Sequence, residues 1–144
     1  MTRQVETASG ALFSFWALPG LGWAITHGSL AVADTIKQLL QERLAIVVKI
    51  HKAVVEGHSI APAAVTLDDV HQAEVAVQSA RLELCETKQD RIKAHETTVK
   101  EAEQWQVLVG KLGQGGEATP VDLLKAQAYL LEARIGFEKA KIAA

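Results

Sequence analysis

The chain has 144 residues, enough for one ordinary domain, and its 49% hydrophobic content is sufficient to build a core. Fifteen lysines and arginines against 17 aspartates and glutamates give a net charge of −2 without a basic stretch, which argues against nucleic acid as a partner. The single cysteine, Cys85, excludes an internal disulfide and a zinc site built mainly on thiolates. No stretch alternates apolar and polar residues as a half-buried strand would, so the sequence predicts an all-α fold.

The N-terminal segment differs from the rest of the chain. Residues 7–33 contain no Asp, Glu, Lys or Arg, and residues 11–25 read ALFSFWALPGLGWAI. Ala31, Val32 and Ala33 form the small, apolar, small pattern that signal peptidases accept. We therefore predict that residues 1–33 are a signal peptide or a membrane anchor, and a buried N-terminal segment is the third alternative.

Residues 34–144 are predicted to form a helical hairpin domain. Thr66, Thr87 and Thr119 each stand three residues before an aspartate, which is the spacing of a capping box at a helix N-terminus. Gly57 and the glycines between residues 110 and 116 supply the expected helix ends. About four helices follow from these signals, at residues 34–56, 67–86, 88–112 and 120 to the C-terminus.

Residues 66–84 and 119–137 are two copies of one sequence pattern, offset by 53 positions. Apolar residues recur in both copies with alternating spacings of three and four, as in a coiled-coil seam. The predicted packing seam consists of Val70, Ala73, Val77, Ala80 and Leu84 in the first copy, and of Leu123, Ala126, Leu130, Ala133, Phe137 and Ala140 in the second. Because alternate positions are alanine, we expect these helices to approach a neighbour closely.

The sequence contains no strong catalytic or metal-binding motif. His51, His58 and His71 are weak candidates for a metal site around one loop, but no HExxH motif or neighbouring cysteine supports them, and no metal is predicted. The glycine cluster lacks the ending of a phosphate-binding loop, and the carboxylates are spread along solvated faces. We predict neither a cofactor nor catalytic residues, and therefore a protein that is not an enzyme.

The stretch GEATPVDLLKAQAYLLEARIGFEKAK, residues 116–141, resembles the helical hairpin repeat of the TolC-type outer-membrane efflux protein family. The similarity covers roughly residues 41–144, and ARLELCETKQDRIKAHE, residues 80–96, resembles the turn between two hairpins. The resemblance implies antiparallel helix pairs, a periplasmic or otherwise exported location, and side-by-side assembly into a helical wall. The chain departs from the family because it has no candidate strands for a β-barrel.

The expected function is therefore that of a non-enzymatic, exported helical module that supports assembly or transport. Its location would be periplasmic or membrane-associated. Its expected partners are proteins, including copies of itself, bound through helical seams, with a membrane contact through residues 7–33 as an option. The alternative is a membrane-attached coiled-coil adaptor or scaffold unrelated to efflux, and a small metal-binding periplasmic protein is a third, weaker alternative.

Overall fold

A computed structural model describes residues 22–143, with side chains from Leu30 onward. The helices are α1 (Gly22–Ile60), α2 (Leu67–Glu83), α3 (Lys88–Gln114) and α4 (Pro120–Ile142). The described residues contain no strand, so the predicted all-α class is confirmed. The chain divides at Ile36 into two compact units, and the packing described below lies within the second, Lys37–Ala144.

The first helix is longer than predicted at both ends. Gly57 does not end it, because α1 continues to Ile60, where Pro62 prevents further helix. A Cβ atom on Gly57 would lie only 3.1 Å from Cγ2 of Val65, so the glycine makes room for the returning chain. Residues 22–33, assigned above to the signal or anchor segment, belong to α1, and residues 1–21 of that prediction lie outside the described residues. Across residues 22–143, no helix combines the length and apolarity needed to cross a bilayer.

All three predicted threonine caps are present. Each threonine side chain accepts a hydrogen bond from the backbone N–H of the aspartate three residues later, and that aspartate accepts one from the threonine N–H. At Thr119 the two bonds measure 3.2 and 2.7 Å. Hydrogen bonds from the capping threonines hold the pKa of the three aspartates below its usual range. The capping boxes fix where α2, α3 and α4 begin.

Consecutive helices run antiparallel. Arg43 of α1 pairs with Glu83, the last residue of α2, at 2.5 Å, and Lys37 pairs with Glu86, just after α2, at 2.6 Å. Along α3 and α4, Arg134 pairs with Glu103 at 3.1 Å, and Gly113 lies against Leu123. In each pair the residue numbers fall along one helix as they rise along the other, which is the arrangement of successive hairpins.

The two helices of the repeat, α2 and α4, lie parallel to each other and both contact α3. Lys125 of α4 donates to both carboxylate oxygens of Asp68 at 2.9 and 2.8 Å, and the rings of Tyr129 and His71 meet edge to face at 4.6 Å. The hydrophobic core between these three helices consists of Leu67, Val70, Ala102, Trp105, Val109, Ala126, Tyr129, Leu130 and Ala133. By contrast, no described side chain of α1 is fully buried.

Candidate functional site

The predicted packing seam lies inside the bundle. On α4 the side chains of Ala126, Leu130 and Ala133 are buried, and those of Leu123, Phe137 and Ala140 are half-buried. On α2 those of Val70, Val77 and Ala80 are buried, and those of Ala73 and Leu84 are half-buried. The helix that packs most closely on α4 is α3. A Cβ atom on Gly136 would lie 3.0 Å from Nδ1 of His95, so the glycine makes room for the His95 ring between α3 and α4.

The three candidate histidines have separate environments. Nδ1 of His58 lies 2.6 Å from the carbonyl oxygen of Val65. His71 stacks against Trp105 with ring centroids 6.3 Å apart, and its Nδ1 is buried without a hydrogen-bond partner. His51 is half-buried on the side of α1 that faces residues of α2 and α3. Within residues 22–143, no group of three or more His, Cys, Asp or Glu side chains is arranged to hold a metal.

A groove of about 370 Å³ lies between α1, α2 and α3. Its apolar lining comes mainly from Val55, Val70, Val77, Trp105 and Leu108. Charged side chains from two helices enter the same groove: Glu74 and Arg81 from α2, and Glu101 from α3. The groove therefore combines an apolar surface with a small number of charged groups, as binding sites in helical bundles commonly do.

The charged groups of the groove belong to one polar cluster. Nη1 of Arg81 donates to Oε1 of Glu101 at 2.6 Å, and Gln78 donates to the other oxygen of Glu101 at 3.4 Å. Gln78, which is only 7% exposed, also donates to the hydroxyl of Tyr129. This cluster links α2 to α3 through partly buried hydrogen bonds and to α4 through a buried one, so it fixes the register of the three helices.

Glu74 is the chemically distinctive member of the groove. Burial, and then the charge of Glu101, raises the pKa of Glu74 to about 7, although Arg81 opposes the rise. The carboxyl can therefore take up or release a proton close to neutral pH. Burial also raises the pKa of Tyr129, to which the charge of Glu74 contributes. A single proton-exchanging carboxyl, beside a glutamate already bound to arginine, does not make a catalytic pair.

This cluster was not predicted from the sequence. Glu74, Gln78 and Arg81 follow a spacing of four and three on α2, so the sequence does carry a signal that they share one side of the helix. Glutamate, glutamine and arginine are usually exposed, so the residue types alone would favour a solvated side. Whether it is buried depends on where α1 and α3 lie, which a helical period does not give.

We expect Glu74→Gln to stabilise the fold above pH 7 and to have little effect near pH 4. Because the folded-state pKa of about 7 exceeds the ordinary value of 4.5, the folded state holds more protons than the unfolded chain between these values. Stability of the natural protein should therefore fall as pH rises through this window, and the amide should remove that loss. Since Glu74 is partly exposed, the gain should be on the order of 1 kcal/mol.

The measurement is urea denaturation of both proteins between about pH 4 and pH 8, a window that spans the ordinary and the raised pKa of Glu74. Glu56→Gln, an exposed position on α1, is the control, and its difference from the natural protein should stay constant with pH. A Glu74→Gln difference that is equally constant would show that Glu74 is ionised in the groove as it is in water.

The opposite side of α4 carries a second apolar row, which we call the outer stripe. It consists of Val121, Leu124, Ala128, Leu131, Ile135 and Ile142. Spacings of three and four join its members except at Glu138, which occupies one position. At 100° per residue the outer stripe lies about 160° around the helix from the buried seam. Its large side chains are between 53% and 83% exposed, so α4 is apolar on two nearly opposite sides.

No protein-family model, no curated protein and no solved structure matches this chain. The resemblance to TolC-type efflux proteins consequently rests on the two sequence stretches quoted above. The groove and the outer stripe provide structural evidence about function that does not depend on this resemblance.

Proposed function

We propose that the chain is a non-enzymatic helical module that self-assembles through exposed apolar helix faces, in support of transport or of a larger protein assembly. The observation that carries this proposal is the outer stripe of α4. The buried seam of the same helix packs in the core beside α3, while the outer stripe faces no other described helix. A helix with two apolar sides is suited to packing against a helix on each side.

The extent of exposed apolar surface supports the proposal. Leu124, Leu131 and Ile135 are each more than half exposed, and fully burying such a side chain contributes about 1.5–3 kcal/mol. On α1, Leu39, Ile46 and Ile50 are between 50% and 59% exposed. Monomeric soluble proteins rarely leave a continuous apolar row in water, because it promotes association.

The assembly could take either of two forms. In the form implied by the resemblance to efflux proteins, the module is exported and neighbouring copies stand side by side, which requires two different contact surfaces on each chain. The exposed apolar residues of α1 and the outer stripe of α4 would provide them. In the alternative form, a membrane-attached adaptor or scaffold, one two-fold surface is sufficient.

Light scattering of the full chain, with and without Leu131→Glu, tests the proposal. The natural protein should have a mass that is a multiple of 15.5 kDa, and Leu131→Glu should reduce it to that of one chain without changing the helical content. Val107→Glu is the matched control, because Val107 is an equally exposed apolar residue on α3, at 58%, and should leave the mass unaltered.

A natural chain that remains single at about 200 μM, where even a micromolar Kd would populate a complex, would contradict the proposal. Closed assemblies of three or more chains would support the efflux-type form, and a mass of two chains the adaptor form.

A further inference from the structure

We propose that the outer stripe of α4 binds the outer stripe of a second copy of this chain, with the two α4 helices antiparallel. This inference rests on the proposed function of self-assembly and specifies its contact. The two-fold axis would pass between Ala128 and Leu131, so that each contact occurs twice, as a two-fold interface requires.

The apolar residues match in this register. Leu124 lies opposite the partner's Ile135, and Ala128 opposite the partner's Leu131, so the small residue receives the large one in the central layers. Val121 lies opposite the partner's Glu138. The stem of that glutamate can cover the valine while its carboxylate, which already binds Lys141 at 2.6 Å, stays in water.

The charges beside the stripe select the register. Lys125 and Glu132 flank the stripe on one side, and in this arrangement Lys125 faces the partner's Glu132 at both ends of the two-fold pair. Gln127 faces the partner's Arg134 on the other side. Lys125 also donates to Asp68 in its own chain, and an ammonium group with three donors can serve both carboxylates.

The neighbouring arrangements bring like charges together. An antiparallel shift by one heptad places Glu132 beside the partner's Glu132 in one direction, and Lys125 beside the partner's Lys125 in the other. A parallel pair stacks Glu138 on the partner's Glu138 and sets Arg134 beside the partner's Lys139. The proposed arrangement is the only one of the four in which charged residues that meet beside the stripe have opposite signs. Charge pairs of this kind set orientation and register in coiled coils.

Disulfide trapping in the full chain with Cys85→Ser tests the orientation. Leu124→Cys and Ile135→Cys chains, mixed under mild oxidation, should form a linked heterodimer, while each chain alone should link poorly. A parallel pair would instead link Leu124→Cys to itself. That result would overturn the proposed pairing.

Charge exchange tests the register by the affinity of the pair. Glu132→Lys alone and Lys125→Glu alone should each weaken self-association about tenfold, because two attractive pairs per dimer become repulsive. Mixing the two variants should restore the affinity of the natural chain, since every pair is again of opposite sign. Circular dichroism of each variant shows whether the fold survives loss of the Lys125 contact to Asp68.

The possible failures separate the two proposals. Suppose that the chain assembles and that Leu131→Glu dissociates the assembly. If mixing the charge variants then fails to restore affinity, and Leu124→Cys does not link to Ile135→Cys, the pairing is wrong and self-assembly stands. If the natural chain is monomeric at all concentrations, both proposals are wrong. A confirmed antiparallel pair would favour the adaptor form, since copies in a side-by-side wall share one direction.

Discussion

Replacing Trp105 by alanine should lower the free energy of unfolding by about 3–5 kcal/mol, the range for loss of a large aromatic side chain from a core. Trp105 is only 9% exposed, and it joins the core between α2, α3 and α4 to the wall of the groove. Its ring also covers His71, whose buried Nδ1 has no hydrogen-bond partner. The substitution therefore leaves a cavity next to an unsatisfied polar atom.

Urea denaturation followed by circular dichroism measures this effect. Val107→Ala, two residues further along α3 at a 58% exposed position, is the control and should change stability by less than about 0.5 kcal/mol. A loss of less than about 1 kcal/mol in Trp105→Ala would mean that the core closes around the gap or that the indole is solvated. Should Trp105→Ala fail to fold, Trp105→Phe provides the smaller change.

Ala133→Leu should destabilise the protein by about 1–3 kcal/mol, because the added carbons must enter a filled interface. Ala133 is 5% exposed in the core beside Ala102 and Leu130, on the side of α4 that packs against α3. The close approach of His95 to Gly136, one turn further on, shows that this part of the interface has no spare room.

Ala128→Leu is the matched control, with the same two residue types on the exposed side of the same helix. At low protein concentration it should leave the thermal midpoint unchanged or slightly raise it, since leucine is also a good helix former. If Ala133→Leu unfolds at the same temperature as Ala128→Leu, the seam is loosely packed and the alanines are not there to permit close approach.

The beginnings of α2, α3 and α4 could be predicted because a capping box is local. Thr119 and Asp122 need only each other, and a stretch of four residues, 119–122, contains both. The end of α1 could not be placed at the right residue, because Gly57 stays helical and the stop comes from Pro62. A glycine permits a helix end without requiring one, and here its use is to accommodate Val65.

The seams were predictable from spacing, but their neighbours were not. A three-four period marks an apolar side of a helix, and α4 has two such sides. Nothing in the period tells which of them α3 covers. The raised pKa of Glu74 has the same origin, since it depends on burial among three helices and on Glu101, which is distant in sequence.

The two copies of the repeat differ in a way that reverses the usual distribution of polarity. Position 131 in the second copy corresponds, at the offset of 53, to position 78 in the first. Gln78 is buried at 7% exposure and hydrogen-bonded to Tyr129, whereas its counterpart Leu131 is 59% exposed. One duplicated position thus holds an amide in the interior and a hydrocarbon at the exterior. Exchanging the two residue types would restore the usual arrangement, with the apolar residue inside and the polar residue outside. The exterior of the second copy is therefore the one suited to contact with another protein.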